Sequence, residues 1–184
     1  MLKSLSLKDI DEAIRSKIKS RSYSSKQIIQ GVKIVTLKNN AEEDGDFCEI
    51  AQFTPYSTLE SFPEYRVAQI NRTRHHSGAI KAWHLQLKQD MIWYVSPSDH
   101  LFVGLWDVRK YSKTKGVTMR IILGDGFSKL LLIPRGVVHG SANFLKTPVD
   151  LYYFTNQKFN IKDPDEKRLP WDILGSNFWI PSKE

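Results

Sequence analysis

Several polar side chains lie within segments whose other residues favour β-strands. His84 and Gln86 alternate along one such segment, and Gln69 and Asn71 alternate along another. Since side chains two residues apart point to the same face of a strand, each pair is predicted to share a face. An inward-facing polar residue of a β-barrel either fills the core or lines a cavity. A histidine in such a cavity can gain or lose a proton near neutral pH.

Two further residues fit the same pattern. His139 follows a Pro-Arg-Gly turn, and Tyr152 lies within the strand-like residues 150–155. For any one of these side chains, a satisfied core hydrogen bond or a surface position is the simpler interpretation. Considered together, they predict a pocket lined by polar groups.

The elements that would position these side chains are short β-rich runs. Turns rich in Gly, Pro, Asn and Asp separate the runs, and no helical pattern lies between them, which predicts an all-β sandwich or closed barrel. The runs cover residues 28–37, 47–53, 66–71, 79–87, 91–95, 101–108, 118–123, 129–133 and 149–155.

The two ends of the chain differ from this body. Residues 1–26 are predicted to form a basic helical extension and linker, and residues 27–184 a barrel domain. The capping-box pattern at 6–9 and isoleucines spaced four apart predict a short amphipathic helix over 7–19. The polar, Pro-rich residues 163–184 are interrupted by aromatic side chains, and we expect this segment to lie across the barrel.

Composition narrows the class of protein. The 184 residues are 41% hydrophobic and 26% charged, which is typical of a globular domain. The longest apolar runs are far shorter than the ~20 residues of a membrane-spanning helix, and no signal peptide is evident, so a cytoplasmic protein without membrane contact is predicted. The single cysteine, Cys48, excludes an internal disulfide and any multi-cysteine metal site.

The net charge of +7 is unevenly distributed along the chain. Residues 1–26 hold seven Lys/Arg and three Asp/Glu, so more than half of the excess lies in the extension. The remaining body has no basic run interleaved with aromatic residues, and we therefore expect no nucleic-acid partner. An anionic small ligand such as a nucleotide diphosphate fits the charge equally well.

Several segments, in one order over residues 27–181, resemble the dTDP-4-dehydrorhamnose 3,5-epimerase family of cupin-type barrels. Residues 81–86, read Lys-Ala-Trp-His-Leu-Gln, are similar to the family's Arg-Gly-Leu-His-aromatic-Gln strand, and Gly78, Asn71 and Gln69 precede them at the family's spacing. Residues 107–116 and 133–140 are similar to two further family motifs. The resemblance implies a cupin or jelly-roll β-barrel.

The resemblance also implies an activity and a set of site residues. The family epimerises a nucleotide-linked 4-keto-6-deoxy sugar by removing and returning a proton next to the ketone, without a cofactor or metal. The implied roles are His84 as base, Asp172 as its partner and Tyr152 as acid. The implied substrate-binding residues are Glu49, Gln69, Asn71, Lys81, Gln86, Lys88 and His139. Residues 28–37 resemble the family's intersubunit strand, which implies a homodimer.

One departure from the family concerns the lysine that would hold the enolate oxygen. Met91-Ile92 stands in its place, and neither residue can donate a hydrogen bond. By analogy with an oxyanion hole, the loss would cost about 10²–10³ in rate unless another group substitutes, and Lys88 is the nearest candidate in the sequence.

Two other interpretations stay open at this point. The first is a sugar-nucleotide-binding cupin with little or no catalytic activity, which has the barrel but lacks the lysine that would hold the enolate oxygen. The second is a metal-dependent cupin enzyme, because residues 134–139 together with Asn143 resemble the second cupin motif. Metal cupins usually combine a His-x-His pair with a glutamate, and His84-x-Gln86 supplies half of that pair.

Overall fold

The computed structural model describes residues 4–20 and 27–181. Near the N-terminus it contains a 3-10 turn, Leu7–Asp9, and a single α-helical turn, α1, at Glu12–Arg15. The predicted capping box is present, but the helix predicted over 7–19 was too long. The helical turn buries no side chain, and a short helix without packing is unstable in water. Residues 21–26 of the predicted linker lie outside the described residues, and the division of the chain at residue 26 stays a prediction.

The rest of the described chain is built from β-strands. They are β1 Lys33–Thr36, β2 Asn39–Glu42, β3 Gly45–Cys48, β4 Thr58–Leu59, β5 Phe62–Arg66, β6 Gln69–His75, β7 Ile80–Leu85, β8 Met91–Val95, β9 His100–Asp107, β10 Thr118–Gly124, β11 Lys129–Ile133, β12 Val137–Ala142, β13 Val149–Thr155 and β14 Lys167–Arg168. A second 3-10 turn, Ser176–Trp179, follows them. Within the described residues, none of the helices has the length and hydrophobicity that a membrane crossing requires.

Ten of these strands form two five-stranded antiparallel sheets. The first sheet has the order β1-β11-β8-β13-β6, and the second has the order β10-β9-β12-β7-β14. The hairpins β2–β3 and β4–β5 lie outside both sheets. The all-β architecture that the sequence predicts is confirmed.

The main hydrophobic core joins side chains of both sheets. Its buried residues include Trp93 and Leu131 of the first sheet and Val103 and Leu105 of the second. Alternate residues of the same strands point to the opposite face, so that Ile92 belongs to a second cluster with Phe154. The period of two therefore determines which residues of β8 and β13 face the inside.

The C-terminal segment packs on the second sheet, as predicted. Trp179 is fully buried, and its ring packs against Trp83 of β7 with 4.6 Å between ring centroids. The sheet has room for these rings at Gly104, where an added Cβ would lie 2.7 Å from the Trp83 ring and 2.6 Å from Phe178. The packing of these aromatic residues thus holds the C-terminal segment against the second sheet.

Strand β12, which carries His139, is not among the strand runs predicted from the sequence. All six of its residues, Val137–Ala142, are buried. A strand that is buried on both faces loses the alternation of polar and apolar residues by which strands are recognised.

Candidate functional site

A cavity of about 890 Å³ is lined by residues of both sheets. Its walls come from β6, β8 and β13 of the first sheet and from β7 and β12 of the second. Residues from 157–168, the segment between β13 and the end of β14, also line it. Of the residues predicted for the site, the cavity brings together Gln69, Asn71, Lys81, His84, Gln86, Lys88 and His139.

His84 lies on β7, where it pairs with His139 of β12 on one side and Arg168 of β14 on the other. Its Nδ1 lies 3.2 Å from Oε1 of Glu166. The same carboxylate oxygen accepts hydrogen bonds from Arg168, with donor–acceptor distances of 2.8 Å from Nε and 2.6 Å from Nη2. The guanidinium therefore holds the carboxylate in place beside the imidazole.

The surroundings of His84 determine its protonation state. Burial lowers the pKa of His84 below its usual range, the charge of Glu166 partly opposes this, and the charge of Arg168 adds to it. The imidazole is consequently neutral at pH 7. Since a carboxylate can only accept, Nδ1 carries the hydrogen that faces Glu166, and Nε2 keeps a free lone pair. Such a histidine can act as a general base.

Asp172, the predicted partner of this histidine, does not lie beside it, and that prediction is wrong. Asp172 is exposed and does not line the cavity. Glu166 occupies the position next to Nδ1 because β14 pairs with β7 and brings the polar segment 157–168 over the cavity. No periodic pattern marks Glu166 in the sequence, so that only the tertiary structure reveals it.

The placement of Tyr152 in the pocket was also wrong, by one residue. Tyr152 points away from the cavity and is 40% exposed, whereas its neighbour Tyr153 lines the cavity. Tyr153 pairs with Trp93 of β8 in strand register. A strand that is displaced by one residue reverses the face of every side chain. The apolar residues Val149 and Leu151 are both buried and share their face with Tyr153. This alternation was the sequence signal that could have placed Tyr153, and not Tyr152, on the inside.

The Tyr153 side chain is suited to donate a proton. Burial raises the pKa of its phenol, and the nearby charge of Glu166 raises it further. The phenol therefore keeps its proton at neutral pH. A neutral tyrosine can act as a general acid.

His139 and Trp93 complete the wall behind His84. The rings of His84 and His139 are stacked with 6.1 Å between centroids, and the Trp93 ring meets His139 edge-on at 5.1 Å. Burial lowers the pKa of His139 to about 4. Because its Nδ1 also lies 3.1 Å from the Val137 carbonyl oxygen, His139 is a neutral group held in one orientation.

Met91 and Ile92, the residues predicted to stand in place of the family lysine, point to opposite faces of β8. Met91 lines the cavity, whereas Ile92 belongs to the cluster on the opposite face. Lys88, the predicted substitute, is about half exposed, and its ammonium group is bound to the carboxylate of Asp163. The cavity wall at Met91 is therefore apolar.

The remaining predicted binding residues differ in their placement. The amide of Gln69 is fixed by Asn71, at 2.6 Å, and by the backbone N–H of Phe159, at 2.8 Å. Lys81 lies at the cavity, and its ammonium group donates to Thr73 and to a backbone carbonyl oxygen. Glu49 is exposed beyond the end of β3 and does not line the cavity of this chain.

Among the described residues, no group of three or more His, Cys, Asp and Glu side chains is placed to hold a metal ion.

The sequence model of a known enzyme family, dTDP-4-dehydrorhamnose 3,5-epimerase, matches residues 26–174. The chain belongs to this family. The resemblance seen in the sequence motifs is therefore confirmed.

Two relatives of this family member have named biosynthetic roles. The spore coat polysaccharide biosynthesis protein SpsL of Bacillus subtilis is 39% identical over 153 residues, which cover 82% of this chain and 97% of SpsL. The probable low-salt glycan biosynthesis epimerase Agl13 of Haloferax volcanii is 26% identical over 144 residues, which cover 78% of this chain and 89% of Agl13.

Solved structures of the epimerase family share the fold of this chain. RmlC of Legionella pneumophila, determined in complex with dTDP-4-keto-L-rhamnose, has a TM-score of 0.65 and 25% sequence identity. The likeness covers 78% of this chain and 75% of RmlC. The predicted cupin-type barrel is thereby confirmed.

Proposed function

We propose that this protein is an active epimerase that inverts a carbon next to the ketone of a nucleotide-linked 4-keto-6-deoxy sugar. The observation that carries the proposal is the presence of a neutral His84, oriented by Glu166, and a protonated Tyr153 in one cavity. Epimerisation at such a carbon needs a base on one face and an acid on the other. The sugar nucleotides bound or processed by relatives in this family support the same substrate class.

The proposed reaction has two proton transfers. Nε2 of His84 takes the proton from the carbon next to the ketone, and the electron pair of the broken C–H bond moves to the ketone oxygen to form an enolate. Tyr153 then delivers its phenolic proton to the opposite face of that carbon, and the enolate returns to a ketone. Solvent restores the proton of Tyr153 and removes the one on His84.

The cavity also offers groups for binding the substrate. Lys81 lies at the cavity, and its ammonium group donates only to the neutral oxygens of Thr73 and the Arg74 backbone, which leaves its charge available for the diphosphate. A lysine supplies charge there without the bidentate geometry of arginine. We place the reaction in the biosynthesis of a surface polysaccharide or glycan, in line with SpsL and Agl13.

The test of this proposal is a panel of nucleotide-linked 4-keto-6-deoxy sugars that differ in base alone or in sugar alone. Each is incubated with the protein in deuterium oxide, and proton NMR follows the loss of the signals at C3 and C5. Deuterium incorporation with an inverted product supports the epimerase. Binding of a sugar nucleotide without any exchange would contradict it and support the binding cupin, which the apolar Met91 favours.

Replacing Glu166 by glutamine is expected to lower kcat/KM at least about tenfold, because the imidazole loses the carboxylate that fixes its tautomer. The charge of Glu166 raises the pKa of His84, so removing it moves that pKa further down. Since the base must be unprotonated, the acid limb of the pH profile shifts to lower pH. The pH dependence of exchange, measured by NMR, checks this.

Glu64→Gln, which removes an exposed carboxylate of β5, is the matched control and leaves both the rate and the profile unchanged. A Glu166→Gln variant with a lower rate but an unmoved acid limb would contradict the assigned role of Glu166, because a purely structural defect has that outcome.

We propose a homodimer as the working form of the protein. Apolar side chains of residues 28–37, the predicted intersubunit segment, are exposed in the single chain, with Ile28 at 61% and Ile34 at 43%. Covering them with a second copy would remove apolar surface from water. We expect light scattering at micromolar concentration to give twice the chain mass of 21.3 kDa, and a monomer there would contradict the proposal. The cytoplasmic location stays a prediction.

A further inference from the structure

Buried polar atoms without a partner are concentrated in one place. Within residues 4–20 and 27–181, three such side-chain atoms occur, and all belong to residues that line the cavity: His75 Nδ1, Gln86 Oε1 and Trp93 Nε1. Buried polar groups in native proteins are nearly always hydrogen-bonded. These three atoms are therefore candidates for contact with a molecule bound in the cavity.

Trp93 differs from the other two in the kind of group that it presents. Its indole nitrogen is a donor without any acceptor capacity, so its partner must be an oxygen or another acceptor. The side chain is 5% exposed, which leaves little access to bulk water. The N–H group is therefore suited to an acceptor atom of a ligand within the cavity.

The position of Trp93 relates it to both proton-transfer groups. On the first sheet it is the register partner of Tyr153, the proposed acid. Toward the second sheet its ring contacts His139, with 5.1 Å between centroids, and His139 in turn stacks on His84, the proposed base. A substrate held between His84 and Tyr153 would lie against the part of the cavity wall that contains Trp93.

Strand β8 also shows what Trp93 would replace. The residue at the place of the family lysine is Met91, which lines the cavity and cannot donate. Trp93 is the next residue of β8 on the same face. We propose that the indole N–H of Trp93 donates a hydrogen bond to the enolate oxygen formed next to the abstracted proton and so takes over the task of the absent lysine. This inference rests on the proposed function.

The proposed bond acts on turnover more than on binding. Negative charge appears on the ketone oxygen only after the C–H electron pair has moved there, so a donor aimed at that oxygen stabilises the transition state more than the substrate. Removing one donor of this kind typically costs about 10²–10³ in kcat. Trp93→Phe removes the N–H and keeps an aromatic ring against His139.

The experiment compares four forms of the full-length protein: wild type, Trp93→Phe, Trp93→Phe with Met91→Lys, and Trp106→Phe. Deuterium exchange into the 4-keto sugar nucleotide gives kcat and KM, and calorimetry with the matching nucleoside diphosphate measures binding of the non-reacting part. We expect Trp93→Phe to lower kcat by about 10²–10³ with binding of the diphosphate unchanged. Adding Met91→Lys to Trp93→Phe is expected to raise kcat at least tenfold, because the lysine supplies a donor on the same face of β8. Trp106→Phe, a tryptophan outside the cavity lining, retains the wild-type rate.

The outcomes separate this proposal from the function on which it rests. Wild-type exchange together with an unchanged kcat in Trp93→Phe overturns the role of Trp93 and leaves the epimerase standing. Loss of kcat and of diphosphate binding together, without rescue by Met91→Lys, assigns Trp93 to packing alone and also overturns its role. A wild-type protein that exchanges with none of the substrates overturns both proposals.

Discussion

Replacement of His84 by alanine is expected to lower the rate of deuterium exchange into the 4-keto sugar nucleotide by about 10²–10⁴-fold, the contribution of a positioned general base. The imidazole is neutral because burial lowers its pKa, and Glu166 leaves Nε2 free to accept the proton. Proton NMR of the substrate in deuterium oxide measures the rate. Binding of the nucleoside diphosphate, measured by calorimetry, changes little, because the histidine acts on the sugar carbon.

His100 provides a matched control for this prediction. Its Nδ1 lies 3.4 Å from a carboxylate oxygen of Asp125, so it repeats the histidine–carboxylate pair outside the cavity lining. His100→Ala is expected to exchange at the wild-type rate. If His84→Ala also retained that rate, His84 would not be the base and the proposed reaction would fail.

Replacement of Tyr153 by phenylalanine is expected to lower the rate of inversion by about 10²-fold or more, because no acid remains on the second face of the sugar. Deuterium exchange is expected to fall much less. His84 still removes the proton, and after its own exchange with solvent it can return a deuteron to the same face. NMR distinguishes the two events, since it reports both the deuterium content and the configuration of the carbon.

The neighbouring tyrosine makes this comparison sharp. Tyr152→Phe removes the same hydroxyl one residue earlier on β13, from the face that points away from the cavity. We expect this variant to invert the substrate at the wild-type rate. If Tyr152→Phe lost inversion and Tyr153→Phe retained it, Tyr152 and not Tyr153 would face the cavity in solution, and the assignment of the acid would fail.

The central strands of the fold were predictable because their residues carry a local signal. Met91–Val95, Lys129–Ile133 and Val149–Thr155 were predicted with the bounds that the structure shows. These runs are rich in β-branched, aromatic and aliphatic residues and are bounded by turns. Strand β12 was missed, because burial on both faces removed the alternating pattern. The helix over 7–19 was predicted too long, since periodicity alone does not show whether a partner surface exists.

The amino-acid sequence by itself determined the family, the barrel class and four of the cavity-lining residues of β6 and β7, Gln69, Asn71, Lys81 and His84, because motif spacing and a strand's period of two are local properties. The tertiary structure decided the rest of the site. It brought Glu166 to His84 from a segment more than eighty residues away, and it placed Tyr153, not Tyr152, inside. It also showed that Trp93 presents an unpaired N–H beside the apolar Met91. Contacts between distant segments, strand orientation and missing hydrogen-bond partners depend on how the two sheets pack, and no local pattern of residue types encodes them.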